Sequence, residues 1–185
     1  MKIFEQAIQQ AQQILSSLNT LEPEILQAAN TLKQSFMKGN KVLLIGNGGS
    51  AADAQHFAAE LMVRFKKERL PYPAIALTTD SSILTAHGND YNFETIFKRQ
   101  VEALGNQGDC LFALSTSGNS RNILEAIGAA QKKGLLVIGL TGADGGKMGE
   151  MCDTLIMVPS SITARIQETH IFIIHILCQL LENSE

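Results

Sequence analysis

The sequence predicts an α/β fold: a doubly wound parallel five-stranded sheet between helical layers, with a helical pair ahead of it. Three observations carry this prediction. Short apolar runs at residues 42–45, 74–77, 110–114, 135–140 and 154–158 lack the in/out alternation of half-exposed strands, as expected where both faces are covered. Amphipathic stretches separate them at residues 51–65, around 93–104 and at 122–132, and a long one closes the chain at about 163–181. Strands alternating with helices call for right-handed crossovers and a parallel sheet. A length of 185 residues fits one structural domain overall, large enough to bury a core without disulfides or a structural metal.

The first 38 residues read as helix. Ile3, Phe4, Ala7, Ile8, Ala11, Ile14, Leu15 and Leu18 recur at three- and four-residue spacings. Pro23 marks a second start, and Ile25, Leu26, Ala29, Leu32 and Phe36 continue the stripe to Gly39. This pair either packs on its own domain or meets another subunit; the stripe does not name its partner.

The first strand runs into Gly46-Asn47-Gly48-Gly49-Ser50, whose glycines allow close approach of backbone to a ligand. The turn has neither GxGxxG spacing nor a following GK[ST], so it is neither a dinucleotide fingerprint nor a P-loop. The helix after it carries His56 and Glu60, one turn apart on one face, a spacing that suits a shared metal, an acid–base pair or two surface neighbours. Arg64 follows, suited to a phosphate or to a carboxylate. Residues 87–91, His-Gly-Asn-Asp-Tyr, read as a polar turn in which Asn89 and Asp90 face either sugar hydroxyls or their own backbone.

The third strand ends in Ser115-Thr116-Ser117-Gly118-Asn119-Ser120, which places four hydroxyls in six residues just ahead of a helix. Hydroxyls and backbone N–H groups at a helix N-terminus suit a phosphate dianion. The plainer reading is an ordinary Ser N-cap, but one cap does not require four hydroxyls. Residues 141–147 read as a connector. In the last helix, Arg165, Gln167 and Glu168 cluster at the start, and His170 and His175 lie beside an apolar stripe. Gln167 and His175 are about 12 Å apart along a helix axis, so both would need extended side chains to share one metal. Gln167 with His170 is the easier pair on local geometry.

Composition narrows the function. There are 15 Lys+Arg against 18 Asp+Glu, a net charge of −3, and the charges are interspersed. That speaks against a nucleic-acid binder working through a basic face. Cys110, Cys152 and Cys178 are odd in number and form no CxxC pair, which fits a reducing compartment. The N-terminus lacks an apolar signal core, and no run approaches the ~18 apolar residues of a membrane span. A cytoplasmic protein without a membrane or nucleic-acid partner is expected.

The segments GNGGSAADAQHFAAEL, HGNDYNFE, STSGNSRNILEAI, LTGADGGKMGE and ARIQETHIFIIHILCQLLE carry a resemblance. From about residue 41 to 181 the chain resembles the phosphoheptose isomerases of the sugar isomerase (SIS) domain family. The resemblance implies a SIS fold over residues 39–185, with residues 1–38 as an oligomer contact. It also implies aldose–ketose isomerisation of sedoheptulose 7-phosphate, the first step toward nucleotide-activated heptose, in a homotetramer with active sites at subunit interfaces. By the same resemblance, Asn47, Gly48, Gly49, Asn89 and Asp90 meet the sugar, and Ser115, Thr116, Ser117 and Ser120 hold the phosphate. His56, Glu60, Gln167 and His175 form a zinc site, with Glu60 and Gln167 also touching substrate. Glu60 and His175 are the implied acid–base residues.

A non-catalytic relative that binds the bacterial replication initiator shares much of this pattern. It has Thr where this chain has Gly49, Arg where it has Ser117, and Asn where it has His175; here all three are the isomerase residue. Ala51, Ala52 and Gln55 look like that relative, and Ala164 stands where some isomerases have Asp. A sugar-phosphate sensor of this family would bring a DNA-binding segment, for which 185 residues leave no room.

Overall fold

The computed structural model describes residues 2–183. Helices α1 (Ile3–Ser17) and α2 (Glu22–Met37), joined by a 3-10 turn at Leu18–Leu21, precede the first strand. Pro23 occupies the first turn of α2, where its missing N–H has no helical partner to lose. The chain continues through β1 (Val42–Ile45), α3 (Gly49–Met62), β2 (Ala74–Ala76), α4 (Ser81–Asp90) and α5 (Ile96–Leu104). It then runs through β3 (Cys110–Leu114), α6 (Arg121–Lys132), β4 (Leu136–Thr141), β5 (Thr154–Met157) and α7 (Thr163–Glu182).

The five strands stand in the order β2-β1-β3-β4-β5, and every neighbouring pair is parallel. In this order the winding reverses between β1 and β3. A crevice therefore opens at the carboxyl ends of these two strands, where ligands of open α/β sheets bind. The turns after β1 and after β3 both leave from that edge.

Alternate side chains of each buried strand feed two separate cores. Val42 and Leu44 of β1, with Cys110, Phe112 and Leu114 of β3, face α1, α2, α3 and α7. Leu43 and Ile45, with Leu111 and Ala113, face α5 and α6. Phe57 of α3 meets Phe112 edge-on, centroids 5.1 Å apart, which seats α3 on the sheet at the level of the crevice. Burial pushes the free thiols of Cys110, Cys152 and Cys178 up to about 11, 12 and 12, leaving them as poor nucleophiles. No described helix is long and apolar enough to cross a membrane.

One expectation is corrected. Residues 87–90 are not a turn but the last turn of α4. Asp80 caps the helix by accepting from the Ile83 N–H at 2.9 Å. Buried His87 anchors its other end, with Nε2 2.8 Å from Thr95 Oγ1 and its ring stacked on Tyr91. Cap and anchor together override the weak helix propensity of Gly-Asn-Asp.

Candidate active site

The turn after β3 is shaped from behind by the connector at 142–148. The Gly142 N–H donates to Thr116 O and the Met148 N–H to Gly118 O, both at 3.1 Å. Asn119 Oδ1 accepts from the Lys147 N–H at 3.1 Å. Residues 141–147 are thus more than a passive link. Gly118 has φ +62°, and a Cβ there would run into the carbonyl of Gly145. Ser120 is the N-cap of α6, yet its side chain makes no capping bond. Its hydroxyl instead meets Ser115 Oγ at 3.2 Å, so the plain N-cap reading fails.

A cavity of about 300 Å³ adjoins the turn, with Thr116, Ser117 and Asn119 on one wall and Asp144, Ser160 and Thr163 on another. No lysine or arginine is among its described lining residues. An anion there would be held by hydroxyls and N–H groups, not by a point charge. Ser115 and Ser120 do not line this cavity but meet each other at the base of the same turn. With the phosphate held by this turn, Ser120→Ala should mainly raise KM for a phosphorylated substrate, measured by initial rates, with kcat little changed.

The turn after β1 enters α3 through Gly48, at φ +54°. Gly49 is the point of closest approach between α3 and α7, because a Cβ there would overlap the side-chain amide of Gln167. Seven residues further along α3, His56 meets His175, eight residues beyond Gln167 on α7. Their Nε2 atoms are 3.0 Å apart, and His56 Nε2 is also 3.3 Å from Glu60 Oε1. His175 is half-buried and its ring stacks on Phe65 at 5.3 Å.

The structure thus brings His56, Glu60 and His175 together and sets Gln167 beside Gly49. Among the described residues, no hydrogen bond or ion pair joins Gln167 to the other three. Asn89 and Asp90 bond to each other at 2.8 Å on the exposed end of α4 and to no other expected site residue. His170 takes no part: it is fully buried, with Nε2 3.2 Å from Thr141 O. Burial depresses it to about 4, so it is neutral at neutral pH. Arg64 pairs with Glu68 at 4.0 Å.

A metal can be tested against this donor set. Tetrahedral zinc with bonds of about 2.0–2.1 Å to nitrogen or oxygen holds neighbouring donors about 3.3 Å apart. The separations of 3.0 and 3.3 Å around His56 Nε2 have that scale. Two imidazole nitrogens face each other there, an arrangement that a shared proton or a cation would relieve. Among the described residues no closed cluster of three His, Cys, Asp or Glu stands ready for a metal. The donor types and the two spacings around His56 Nε2 fit a zinc ion.

Two residues of this site carried no signal in the sequence. Asn122, buried on α6, exchanges side-chain amide bonds with Asn47 at 2.9 and 2.8 Å. That reciprocal pair ties the turn after β1 to the first turn of α6 across the switch point. Asp53, one turn before His56 on α3, is buried with Oδ2 unpaired. Burial pushes its carboxyl up to about 6, against the opposing pull of His56. A raised carboxyl stabilises the fold in its neutral form, so this contribution is whole below about 4 and is lost as pH rises through 6. Asp53→Asn in chelator-treated protein should accordingly melt above wild type at pH 7.5, and the gap should close as pH falls toward 4. Thermal unfolding across pH checks this.

Fold and site together define a parallel α/β domain with a hydroxyl-rich turn at the switch point and an imidazole–carboxylate cluster where α3 meets α7. The family model described as SIS domain matches residues 6–142. The chain is 52% identical over 182 residues to phosphoheptose isomerase 1 of Campylobacter jejuni, covering 98% of each chain. It is 59% identical over 167 residues to the phosphoheptose isomerase of Campylobacter concisus, covering 90% of this chain and 86% of that one. The solved phosphoheptose isomerase of Neisseria gonorrhoeae superposes with a TM-score of 0.88 at 47% identity, over 97% of this chain and 95% of that one. The chain belongs to the SIS domain family and, within it, to the phosphoheptose isomerases. The adaptor reading is not favoured, and Gln167 fills the space that a larger residue at Gly49 would need.

Proposed function

We propose that the activity this chain shares with the phosphoheptose isomerases, conversion of sedoheptulose 7-phosphate to D-glycero-D-manno-heptose 7-phosphate, runs through Glu60 and His175. The observation that carries the reading is the cluster of His56 with Glu60 and His175 at 3.0–3.3 Å, beside a hydroxyl-rich turn at the same sheet edge. Ser115, Thr116, Ser117 and Ser120 hold the phosphate, which fixes the other end of the open-chain sugar. Asn47, Gly48, Gly49 and Gln167 line the path between, and Asn89 and Asp90 meet sugar hydroxyls. Of the Glu60 and His175 side chains, one takes the proton from C1 while the other protonates O2, giving a cis-enediol. Removal of the O1 proton and delivery of a proton to C2 complete the aldose. No net proton or electron is consumed.

His56, Glu60, Gln167 and His175 would hold one zinc ion per subunit. Bound there, the metal would polarise the substrate oxygens as a Lewis acid. The chain's own groups then orient the sugar and move its protons.

A homotetramer in the cytoplasm completes the reading. Leu15, Leu26 and Phe172 remain 45%, 47% and 45% exposed around an apolar groove of about 380 Å³ between α1, α2 and α7. Such a connected patch on helices flanking the site suits a contact between copies. The test is incubation with sedoheptulose 7-phosphate, with and without chelator and added zinc, following the aldose by NMR. Aldose formed by the zinc-loaded protein and lost on chelation is expected. Unchanged turnover after complete metal removal would sink the zinc assignment, and absence of aldose would sink the isomerase.

A further inference from the structure

We propose that the buried Arg69–Glu182 pair is a positioning device that sets the distance between Glu60 and His175. The proposal rests on the assignment of those two residues to proton transfer.

Both partners lie outside the ligand turns. Arg69 follows α3, Glu182 ends α7, and each side chain is 2% exposed, with Arg69 Nε 3.5 Å from Glu182 Oε1. Arg69 also reaches back to the end of α3, whose last carbonyls have no helical partner. Its Nη2 donates to Glu60 O at 2.7 Å and its Nη1 to Leu61 O at 2.9 Å. The guanidinium rests over the Tyr72 ring at 4.3 Å. One cation therefore grips the very turn of α3 that presents the Glu60 carboxylate.

Glu182 acts on the other half of the pair. Its carboxylate accepts the backbone N–H groups of Phe65, Lys66 and Lys67 at 2.8, 2.9 and 3.1 Å. Burial alone would raise this carboxyl, but the three N–H donors and Arg69 hold it below the usual range. The segment so fixed lays the Phe65 ring against the His175 imidazole at 5.3 Å and 26°. His175 lies seven residues before Glu182 on the same helix. The ion pair, the 65–67 segment and the two helix ends thus form a closed frame around the acid–base pair. Removing one partner would leave the other charge buried and unpaired, so Glu182→Gln should also lower the thermal midpoint, and kcat per folded molecule is the readout that separates positioning from stability.

The test measures kcat, KM and thermal midpoint for Glu182→Gln and Phe65→Leu, singly and together, beside wild type and Glu60→Gln. Either single variant should lower kcat roughly tenfold to a hundredfold, the scale of a misplacement of about 1 Å. KM should stay within about twofold, because the phosphate turn is untouched. The double variant should be little worse than the weaker single, since both break one frame. A merely structural role would lower the thermal midpoint while leaving kcat per folded molecule intact, and that result overturns the proposal. If Glu182→Gln does not fold, Phe65→Leu decides alone, and full kcat in that variant overturns the proposal. Failure of the underlying assignment has its own signature: Glu60→Gln would then turn over like wild type.

Discussion

Glu60→Gln is expected to lower turnover by about 10²–10⁴-fold, the usual contribution of a positioned acid or base, while KM changes little. Glutamine keeps the size of the side chain and a carbonyl oxygen that can still face His56 Nε2, 3.3 Å from Glu60 Oε1 in the native site. What it loses is the ability to take a proton and the charge with which Glu60 would help to hold zinc, so zinc content is measured beside the rate. On the proposed mechanism His175→Gln should fall by a similar factor, since it would remove the second proton-transfer group and breaks the 3.0 Å contact with His56. If both variants isomerise sedoheptulose 7-phosphate near the wild-type rate, the acid–base assignment is wrong. Initial rates across substrate concentration separate this loss in kcat from weakened binding.

Gly118→Ala should have the next largest effect, through KM. The position needs φ +62°, a conformation that costs an L-residue about 1–2 kcal/mol. The added Cβ would also collide with the Gly145 carbonyl. That carbonyl cannot retreat easily, because Gly142 and Met148 on either side are hydrogen-bonded to the same turn. The turn must distort, and with it the hydroxyls at 115–120. KM is expected to rise about tenfold to a hundredfold, or ~1.4–2.7 kcal/mol of lost phosphate binding. Gly128→Ala on the outside of α6, where a Cβ meets nothing within 4 Å, is the control. It should leave KM unchanged and slightly favour the helix.

The features legible in the sequence were those that depend on neighbours along the chain. Unbroken apolar runs gave the strands, because a buried parallel strand shows no alternation. The 115–120 turn was legible because its hydroxyls are consecutive, and His56 with Glu60 because one helical turn joins them. The meeting of His56 with His175 was not legible from spacing, and only the family resemblance pointed to it. It arises from α3 and α7 lying side by side, with Gly49 against Gln167 at one level and His56 against His175 at the next. Asn122 and Asp53 have no signature along the chain for the same reason: one acts across the sheet edge and the other through burial. The misread 87–90 segment shows the converse limit, in which a cap at Asp80 and a buried His87 outweigh turn-forming residue types.

The most direct test of the central claim, proton transfer through an enediol held by this site, is isomerisation in deuterated water. Sedoheptulose 7-phosphate is incubated with the zinc-loaded wild-type protein to equilibrium, and C2 of the aldose product is read by NMR. Exchange of a carbon-bound proton through Glu60 or His175 predicts deuterium at C2, accumulating with each cycle. Aldose that retains the original C1 hydrogen at C2 throughout would mark an intramolecular hydride shift and contradict the account.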